Sequence, residues 1–551
     1  MATLDVPGVL AVALGNAMTY PRVRAALSAV GLDAATLSEQ SGAILATWGL
    51  DLGSPTHDVP LLLSMTNWSD RGSMDPRSMA RWLADGTSGR FASMLPPFAA
   101  LGVTAGGLRL VSDHAGFRQL YLVDGAGWAA VSTSARVLGV LSEAGLDRDS
   151  LMLQSQLGWL VGDRTILAGV TKLGPSEGVL IKNGVLKREP PADDPPIQPV
   201  SLDQGVRRAA GVLRDVLARY LDENPDPTLQ LTGGQDSRIV LSSIPPARRR
   251  GLKVMTLDVH GSADTAIAAK LANRFGMLHT VRTLDGMAAL SAEEAFELVC
   301  SAARRLDGMS DPIARAATLW AERSFDQGAR LSGLGGEYAR GFYYTGRVRP
   351  TPVTLARTDQ LAKWRMLANE AVERSVLAAP LAEEAITRSI ALIHQALAAT
   401  GLEWYEATDE LYYRHRMQRW GGLGETAVCF DRSIVNPMLD YRFVAVARGL
   451  RPIDKAHSLF LARLQLELDE ELASMPLDNR PAPRAYISNS PSNYLRQQSA
   501  LLRKVAHKSL QRAKGDRRPP PGASVLVSRV SQHLRESPEH LEPVRRAEVF
   551  D

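Results

Sequence analysis

The chain predicts a mixed α/β protein in two parts, and three observations carry that prediction. An apolar, β-prone run ending at Leu231 breaks at Gly233-Gly234 and resumes as an amphipathic helix. A second unit follows at once: Leu252 to Val259 is strand-like, and Ile267, Ala268, Leu271, Ala272 and Phe275 then recur at helical spacing. Upstream, the five prolines between Glu189 and Val200 defeat both helix and central strand, so that stretch is a seam. Strand–loop–helix alternation beyond the seam is the pattern of a doubly wound parallel sheet.

Ahead of the seam, short segments at Leu61 to Met65, Leu108 to Val111 and Gln119 to Val123 are separated by Gly and Asp turns, which reads as a β-rich layered domain. The apolar stretch Val9 to Leu14 follows Asp5 without a basic flank, so it does not read as a signal peptide. No apolar run reaches about eighteen residues, so a cytoplasmic protein without a membrane span is expected. The 551 residues, 45% hydrophobic and 22% charged, suit a soluble chain of about two to four domains. A net charge of +4 is mild for this length and asks for no nucleic-acid partner. Cys300 and Cys429 make neither a disulfide framework nor a zinc cluster, and both are expected in the core.

Beyond the seam, Ser201 and Gln204 make a capping box, and Val206, Ala209, Leu213, Val216, Leu217 and Tyr220 form one buried helical stripe. That helix leads into the first strand and its loop. Gly233 and Gly234 can turn their amides inward without a Cβ clash, and the next helix adds positive dipole character, so the loop suits pyrophosphate. Thr232 and Ser237 add hydroxyls. Asp236 is out of place among anion-attracting groups unless it holds a divalent cation, as hard carboxylate oxygens hold Mg²⁺. ATP with Mg²⁺ is therefore the expected ligand, bound along Leu231, Thr232, Gly233, Gly234, Gln235, Asp236 and Ser237. An ordinary strand-to-helix turn would explain the glycines but not a carboxylate and two hydroxyls beside them. No Gly-Lys-Ser/Thr follows, which argues against a kinase-like P-loop.

Ligands of such a sheet bind beyond the carboxyl ends of its strands, where Leu257 can flank an adenine ring. His279, at the next strand start, is expected to be a satisfied structural residue. Asp307 to Pro312 then precede a helix with Ala316 and Trp320 on one face, and Ala329 to Gly341 run from a strand into a second glycine loop. The glycines there, Gly333 and Gly335 among them, are expected to permit close approach to a ligand beside Glu337; a surface acid on a turn is the alternative. Ile434 to Arg448 read as a turn and a helix that Asp440 can cap. Tyr412 to Trp420, with Arg414, Arg416 and Arg419 among aromatics, fit either a substrate cleft or a helix with one arginine-rich face. The tail carries Lys504, Lys508, Arg512, Lys514, Arg517 and Arg518, a solvated basic face or a means of capturing pyrophosphate or an acidic peptide.

Thr232 to Ser237 resemble the PP-loop (Ser-Gly-Gly-x-Asp-Ser) of the ATP pyrophosphatases, with Thr232 for the first serine. Further segments, in order, resemble the asparagine synthetase superfamily, including its β-lactam synthetase and lasso-peptide cyclase branches. Asp264, Ala268, Leu271, Ala272 and His279 match its D-x-x-x-A-x-x-L-A helix and following His. Asp311-Pro312 match an Asp-Pro element, Ser332 to Gly341 the Ser-Gly-x-Gly-x-Asp-Glu loop, and Pro437 to Asp440 the Pro-Phe-Leu-Asp. Gly89 to Ala92, Asp113 to Tyr121, Ser132 to Leu138 and Thr165 to Leu173 resemble the same family's glutamine amidotransferase domain.

The resemblance implies an N-terminal Ntn-type αββα sandwich over residues 1–190 and a helix-rich, doubly wound ATP-pyrophosphatase domain over 200–551. A glutaminase of this type needs cysteine as its first mature residue. The chain begins Met1-Ala2-Thr3 with no cysteine before Cys300, so the resemblance implies an inactive scaffold. It further implies a carbon–nitrogen ligase that adenylates a carboxylate, releasing pyrophosphate, and passes the acyl group to an amine. Peptide or other natural-product biosynthesis, such as lasso-peptide macrocyclisation, is the expected setting. Intermolecular amide synthesis and a non-catalytic ATP-binding subunit serving a partner enzyme are the alternatives, and a precursor peptide is one candidate substrate.

Within that resemblance the metal falls on Asp236 and Glu337, the ATP also meets Gly333 and Gly335, and catalysis rests on Glu337 and Arg484. Arg480 and Arg484 lie about where relatives carry a lysine. Two positions depart from the pattern: Leu334 and Ser433 stand where relatives carry an acid or tyrosine and an acid, so neither supplies a general base.

Overall fold

The computed structural model describes residues 6–549 apart from 14–17, 51–60, 64–65, 87, 192–196, 260–261, 324–327, 368–370, 373, 479, 547 and most of 488–521. Met1 and Ala2 and the basic tail residues Lys504, Lys508, Arg512, Lys514, Arg517 and Arg518 fall outside the described residues. The chain is mixed α/β, with antiparallel sheets ahead of the seam and a parallel sheet beyond it.

Strand periodicity builds the front layers. In β1 (Gly8–Ala13), Val9, Ala11 and Ala13 face one way and Leu10 and Val12 the other, and all five are buried. The first set joins Leu45 of β3 (Ala43–Trp48), Leu101 of β7 (Ala99–Thr104), Leu108 and Leu110 of β8 (Gly107–Ser112) and Val179 of β12 (Gly178–Lys182) in a core between two sheets. The second set packs with Val23 and Leu27 of α1 (Tyr20–Ala29), Val137 and Leu138 of α3 (Ala135–Leu141), and Met152 and Leu153 of α4 (Arg148–Leu157). On the far side, Met79 and Leu83 of α2 (Pro76–Asp85) cover Ala100 and Val111. The result is helix, sheet, sheet, helix.

The remaining front strands are β2 (Thr36–Gln40), β4 (Leu61–Leu62), β5 (Trp68–Ser69), β6 (Gly72–Ser73), β9 (Tyr121–Gly125), β10 (Trp128–Ser132), β11 (Val170–Lys172) and β13 (Val185–Glu189). One sheet runs β11-β9-β10-β1-β3-β2 and the other β13-β12-β8-β7-β4. Asp113 fixes the turn after β8: its buried carboxylate accepts the amides of Phe98, Ala115, Phe117 and Arg118 at 2.9 to 3.0 Å.

Beyond the seam, α5 (Leu202–Glu223) buries the whole predicted stripe from Val206 to Tyr220. Ser201 caps it by accepting from the Gln204 amide, one half of the expected box; the full reciprocal box is at Ser291 and Glu294, ahead of α8 (Ala292–Arg305). The parallel sheet comprises β14 (Thr228–Gln230), β15 (Lys253–Leu257), β16 (Leu278–Arg282), β17 (Arg330–Leu331) and β18 (Ile434–Val435), ordered β16-β15-β14-β17-β18. The chain winds outward from β14 in one direction, then returns to continue on its other side. Strand order therefore reverses between β14 and β17, the place where doubly wound sheets bind ligands beyond the carboxyl ends of their strands. Leu229, Val254, Leu331 and Val435 of the sheet pack with residues of α5, α6 (Gln235–Ser243) and α7 (Asp264–Phe275).

That core continues into the front layers through Trp68, Phe117, Leu157 and Trp159. The contact is also polar. Arg419, wholly buried, donates to the Gly162 and Arg164 carbonyls at 2.6 and 2.9 Å. Buried Lys172 donates to Gln418 Oε1 at 2.6 Å, and the Thr426 hydroxyl to the Phe117 carbonyl at 2.7 Å. Burial pushes the Arg419 guanidinium down to about 10 and the Lys172 ammonium well below its ordinary range, the latter also through the charge of Arg419.

Two local expectations change. Cys429 is buried, but Cys300 is only half-buried. Residues Tyr412–Gly421, expected as an arginine-faced helix or a cleft wall, form a π-helix whose three arginines part company. Arg419 enters the front–back contact, Arg414 pairs with Glu410, and Arg416 lies over Trp159, Phe342 and Trp420.

Candidate active site

The two glycine loops meet at the reversal between β14 and β17, and their backbones touch. A Cβ on Gly333 would lie 2.6 Å from Ser237 N and 2.7 Å from Asp236 C, and one on Gly336 would collide with Asp236 Oδ1. Gly335 holds φ +108°, where an L side chain is strained. Gly333 and Gly336 thus serve close approach to the first loop, and Gly335 to Met438 and Leu439.

This packing brings together Asp236, first-turn residue of α6, and Glu337, one residue before the short turn Tyr338–Arg340. Arg340 spans them, with Nη1 3.1 Å from Asp236 Oδ2 and Nη2 3.6 Å from Glu337 Oε1. The remaining oxygens, Asp236 Oδ1 and Glu337 Oε2, are buried without a hydrogen-bond partner among the described residues. Burial pushes the Glu337 carboxyl up to about 6; the charge of Asp236 adds to that rise and the charge of Arg340 opposes it.

The first loop ties up its own amides. Gly233 N–H donates to Asp264 Oδ1 at 2.7 Å, Gly234 N–H to Thr232 Oγ1 at 3.1 Å, and Thr232 N–H to Ser237 Oγ at 3.1 Å. The expectation that both glycine amides turn toward phosphate is corrected: they are committed within the protein. No described side chain caps α6, so its first-turn amides are left without a capping side chain.

The other sequence-predicted residues separate by burial. Leu231 lies wholly in the core with its amide and carbonyl both bonded within the sheet, and Gln235 is buried as well. Leu257 is half-buried at the carboxyl end of β15 and offers apolar surface. Beyond β16, a groove of about 400 Å³ is lined by Arg282, Thr283, Asp285, Trp320 and Arg323. A smaller cavity of about 10 Å³, room for one water, lies at the front–back contact around Arg118 and Asp307, away from the loops. His279 accepts its structural role, with Nε2 2.9 Å from Thr256 Oγ1. Leu334 packs against Gly421, and Asp440 caps its helix and pairs with Arg442.

Arg484 stands apart from the acids: its side chain is 56% exposed and pairs with Glu470 at 2.8 Å. Arg480 lies within electrostatic reach of Asp236 and Arg340. Burial lowers its guanidinium below the ordinary value, the charge of Arg340 adds to that, and the charge of Asp236 opposes it. Sequence reasoning missed Arg340 and the role of Asp264. Arg340 had a local signal, an arginine three residues after Glu337 on one helical turn. Asp264 reaches Gly233 only through the adjacency of β14 and β15, which no local pattern reveals.

The residues fit a divalent cation of the Mg²⁺ kind. Two carboxylates each present an unpartnered buried oxygen, and such ions take one or two carboxylates with phosphates and waters filling the rest. Among the described residues no group of three or more His, Cys, Asp or Glu is placed to hold a metal.

No protein-family model matches the chain, and no curated protein matches it. Among solved structures, the chain is similar to one titled "structure of the allosteric regulatory enzyme of purine biosynthesis", at 11% identity over 50% of this chain and 75% of that one, with a TM-score of 0.19. A likeness at that score carries no argument about the site. Among the described residues no helix is long and apolar enough to cross a membrane.

Proposed function

We propose that the chain is an AMP-forming carbon–nitrogen ligase, with the reversal point between β14 and β17 as its adenylation site. One observation carries the reading: two independent glycine loops, far apart in sequence, put Asp236 and Glu337 against each other at the sheet's reversal point with one buried oxygen of each unpartnered. Among the described residues these are the only buried carboxylate oxygens without a hydrogen-bond partner, and such groups call for a partner such as an ion.

In this reading ATP lies across the reversal point with its adenine against Leu257 and its phosphates at the first turn of α6. Asp236 and Glu337 hold Mg²⁺, which when bound neutralises charge on the phosphates. A substrate carboxylate oxygen attacks the α-phosphorus, and the bond to the β-phosphate oxygen breaks to release pyrophosphate. The amine then attacks the acyl carbon, AMP departs, and the proton the amine sheds passes to the AMP phosphate or to water. Arg480, not Arg484, is the cation we assign to the developing charge, because it lies within electrostatic reach of Asp236 and Arg340.

The front layers are assigned as an amidotransferase-like scaffold without a nucleophile, so the amine comes from the substrate. Residues 1–190 and 200–551 are the two domains in this reading, and a peptide or amino-acid derivative in natural-product assembly is the substrate class. A second reading, a non-catalytic ATP-binding subunit, is favoured by Leu334 and Ser433, which leave no dedicated base. Proximity of a pre-oriented amine is worth about 7 kcal/mol or more, which makes such a base dispensable.

Labelled pyrophosphate should exchange into ATP with Mg²⁺ and a pathway carboxylate, and glutamine should release no glutamate. Formation of ADP and orthophosphate would overturn the adenylation reading. ATP binding with no exchange for any carboxylate offered would decide for the subunit.

A further inference from the structure

We propose that Arg340 is a placeholder cation: it holds the Asp236–Glu337 pair together until a divalent ion takes the acids, and is then released toward the polyphosphate beside Arg480. The inference rests on the metal reading given above and adds to it a residue with its own task.

Geometry separates a placeholder from a permanent bridge. Arg340 engages one oxygen of each acid, at 3.1 and 3.6 Å, and leaves Asp236 Oδ1 and Glu337 Oε2 without partners among the described residues. One guanidinium spread over two carboxylates makes neither a bidentate fork nor a saturated acid. It suffices to keep two buried negative charges from repelling each other apart, which is what a site awaiting a doubly charged ion requires.

The tether permits departure. Arg340 ends a three-residue turn, and Gly341 follows at φ +61°, so no long helix constrains its side chain. That side chain is 21% exposed. Charge supplies the direction: two acids and Arg340 sum to −1, and a divalent ion brings the sum to +1. The freed guanidinium then meets the like charge of Arg480, which Asp478 offsets in part, and the phosphates of a bound nucleotide supply the remaining anionic charge.

The test uses the full chain, with Mn²⁺ as the metal probe counted by its spin-resonance signal and inorganic pyrophosphate as the anion probe followed by calorimetry. Arg340→Met keeps length and removes charge. Its Mn²⁺ affinity without nucleotide should rise about tenfold or more over wild type, because no cation need be displaced. In the presence of Mn²⁺ its pyrophosphate affinity should fall by about the same factor, and Mn²⁺ should restore its lowered melting temperature. If Arg340→Met fails to fold, Arg340→Lys, which cannot span both acids, should change both affinities in the same directions. Equal Mn²⁺ affinity in wild type and variant would make Arg340 a structural bridge and sink the placeholder while leaving the metal reading intact. Mn²⁺ binding by wild type that Asp236→Asn does not weaken would remove the metal reading itself, and the placeholder with it.

Discussion

Two acid–arginine clusters flank β17, and they are built differently. At its first residue, Arg330 meets Glu322 as a fork, Nη1 to Oε1 at 2.6 Å and Nη2 to Oε2 at 2.8 Å, and Arg432 adds a contact at 3.2 Å. Both Glu322 oxygens are engaged, and the side chains are 3 to 7% exposed. Beyond its other end, Arg340 touches Asp236 and Glu337 once each and leaves one oxygen of each open. The protein engages both oxygens of the first cluster's carboxylate, and only one oxygen of each carboxylate in the second. Breaking a buried pair leaves an uncompensated charge that costs several kcal/mol, and among the described residues Asp236 Oδ1 and Glu337 Oε2 are the buried carboxylate oxygens left without a hydrogen-bond partner.

Breaking the first cluster should cost the most stability. Glu322→Gln strands two buried guanidiniums and should lower unfolding free energy by about 3 to 5 kcal/mol in urea titrations, with turnover per folded molecule unchanged. A mild loss would mean that Glu322 is no better satisfied than Asp236. Breaking the second cluster should do the reverse: Asp236→Asn should cut Mg²⁺-dependent AMP formation by about a hundredfold or more without lowering the melting temperature. If activity survives, the open oxygens hold no metal.

The next expectation uses pH. Glu337 must be ionised to take a cation, and burial with the Asp236 charge sets its titration near 6. Mn²⁺ affinity should therefore be flat above about pH 7 and fall about tenfold per unit well below 6, and Glu337→Gln should abolish that slope. The smallest effect concerns Asp307, pushed up to about 6 by burial and held down by bonds from Ser134 and Arg136. An acid whose folded value lies above its unfolded value of 3.8 adds stability below that value, and the contribution is lost as pH climbs through 6. Asp307→Asn should flatten this tilt, at most about 1.4 kcal/mol per pH unit, in melts between pH 4 and 7. A tilt unchanged by the variant would place its origin elsewhere.

What the sequence made legible was local. The α5 stripe, the β14–loop–α6 unit and the Asp440 cap follow from periodicity and capping chemistry within a few residues. The meeting of Asp236 and Glu337 was legible only as two loops each ending in an acid, since strand order decides that they touch. Gly333 and Gly336 allow close approach to the backbone and side chain of Asp236 and its neighbour Ser237, a contact that local sequence does not contain. Arg484 and Arg480 lie four residues apart, and the turn Pro483–Tyr486 carries Arg484 outward to Glu470 while Arg480 stays near Asp236. The π-helix at Tyr412–Gly421 had no signature, because i to i+5 bonding is imposed by what surrounds it.

Arg419 has a consequence for how the chain comes together. Its guanidinium is fully buried, and the bonds it makes at its Nη2 are to carbonyls of residues 162 and 164. Those carbonyls belong to the part of the polypeptide that leaves the ribosome first. The earlier part is therefore available as a packing surface while the later part is still being made, a consequence independent of any chemistry it performs. Expressed separately, the later part would expose Arg419 and the apolar surface that packs on Trp68, Phe117, Leu157 and Trp159 to water, and supplying residues 6–191 in trans should raise its soluble yield.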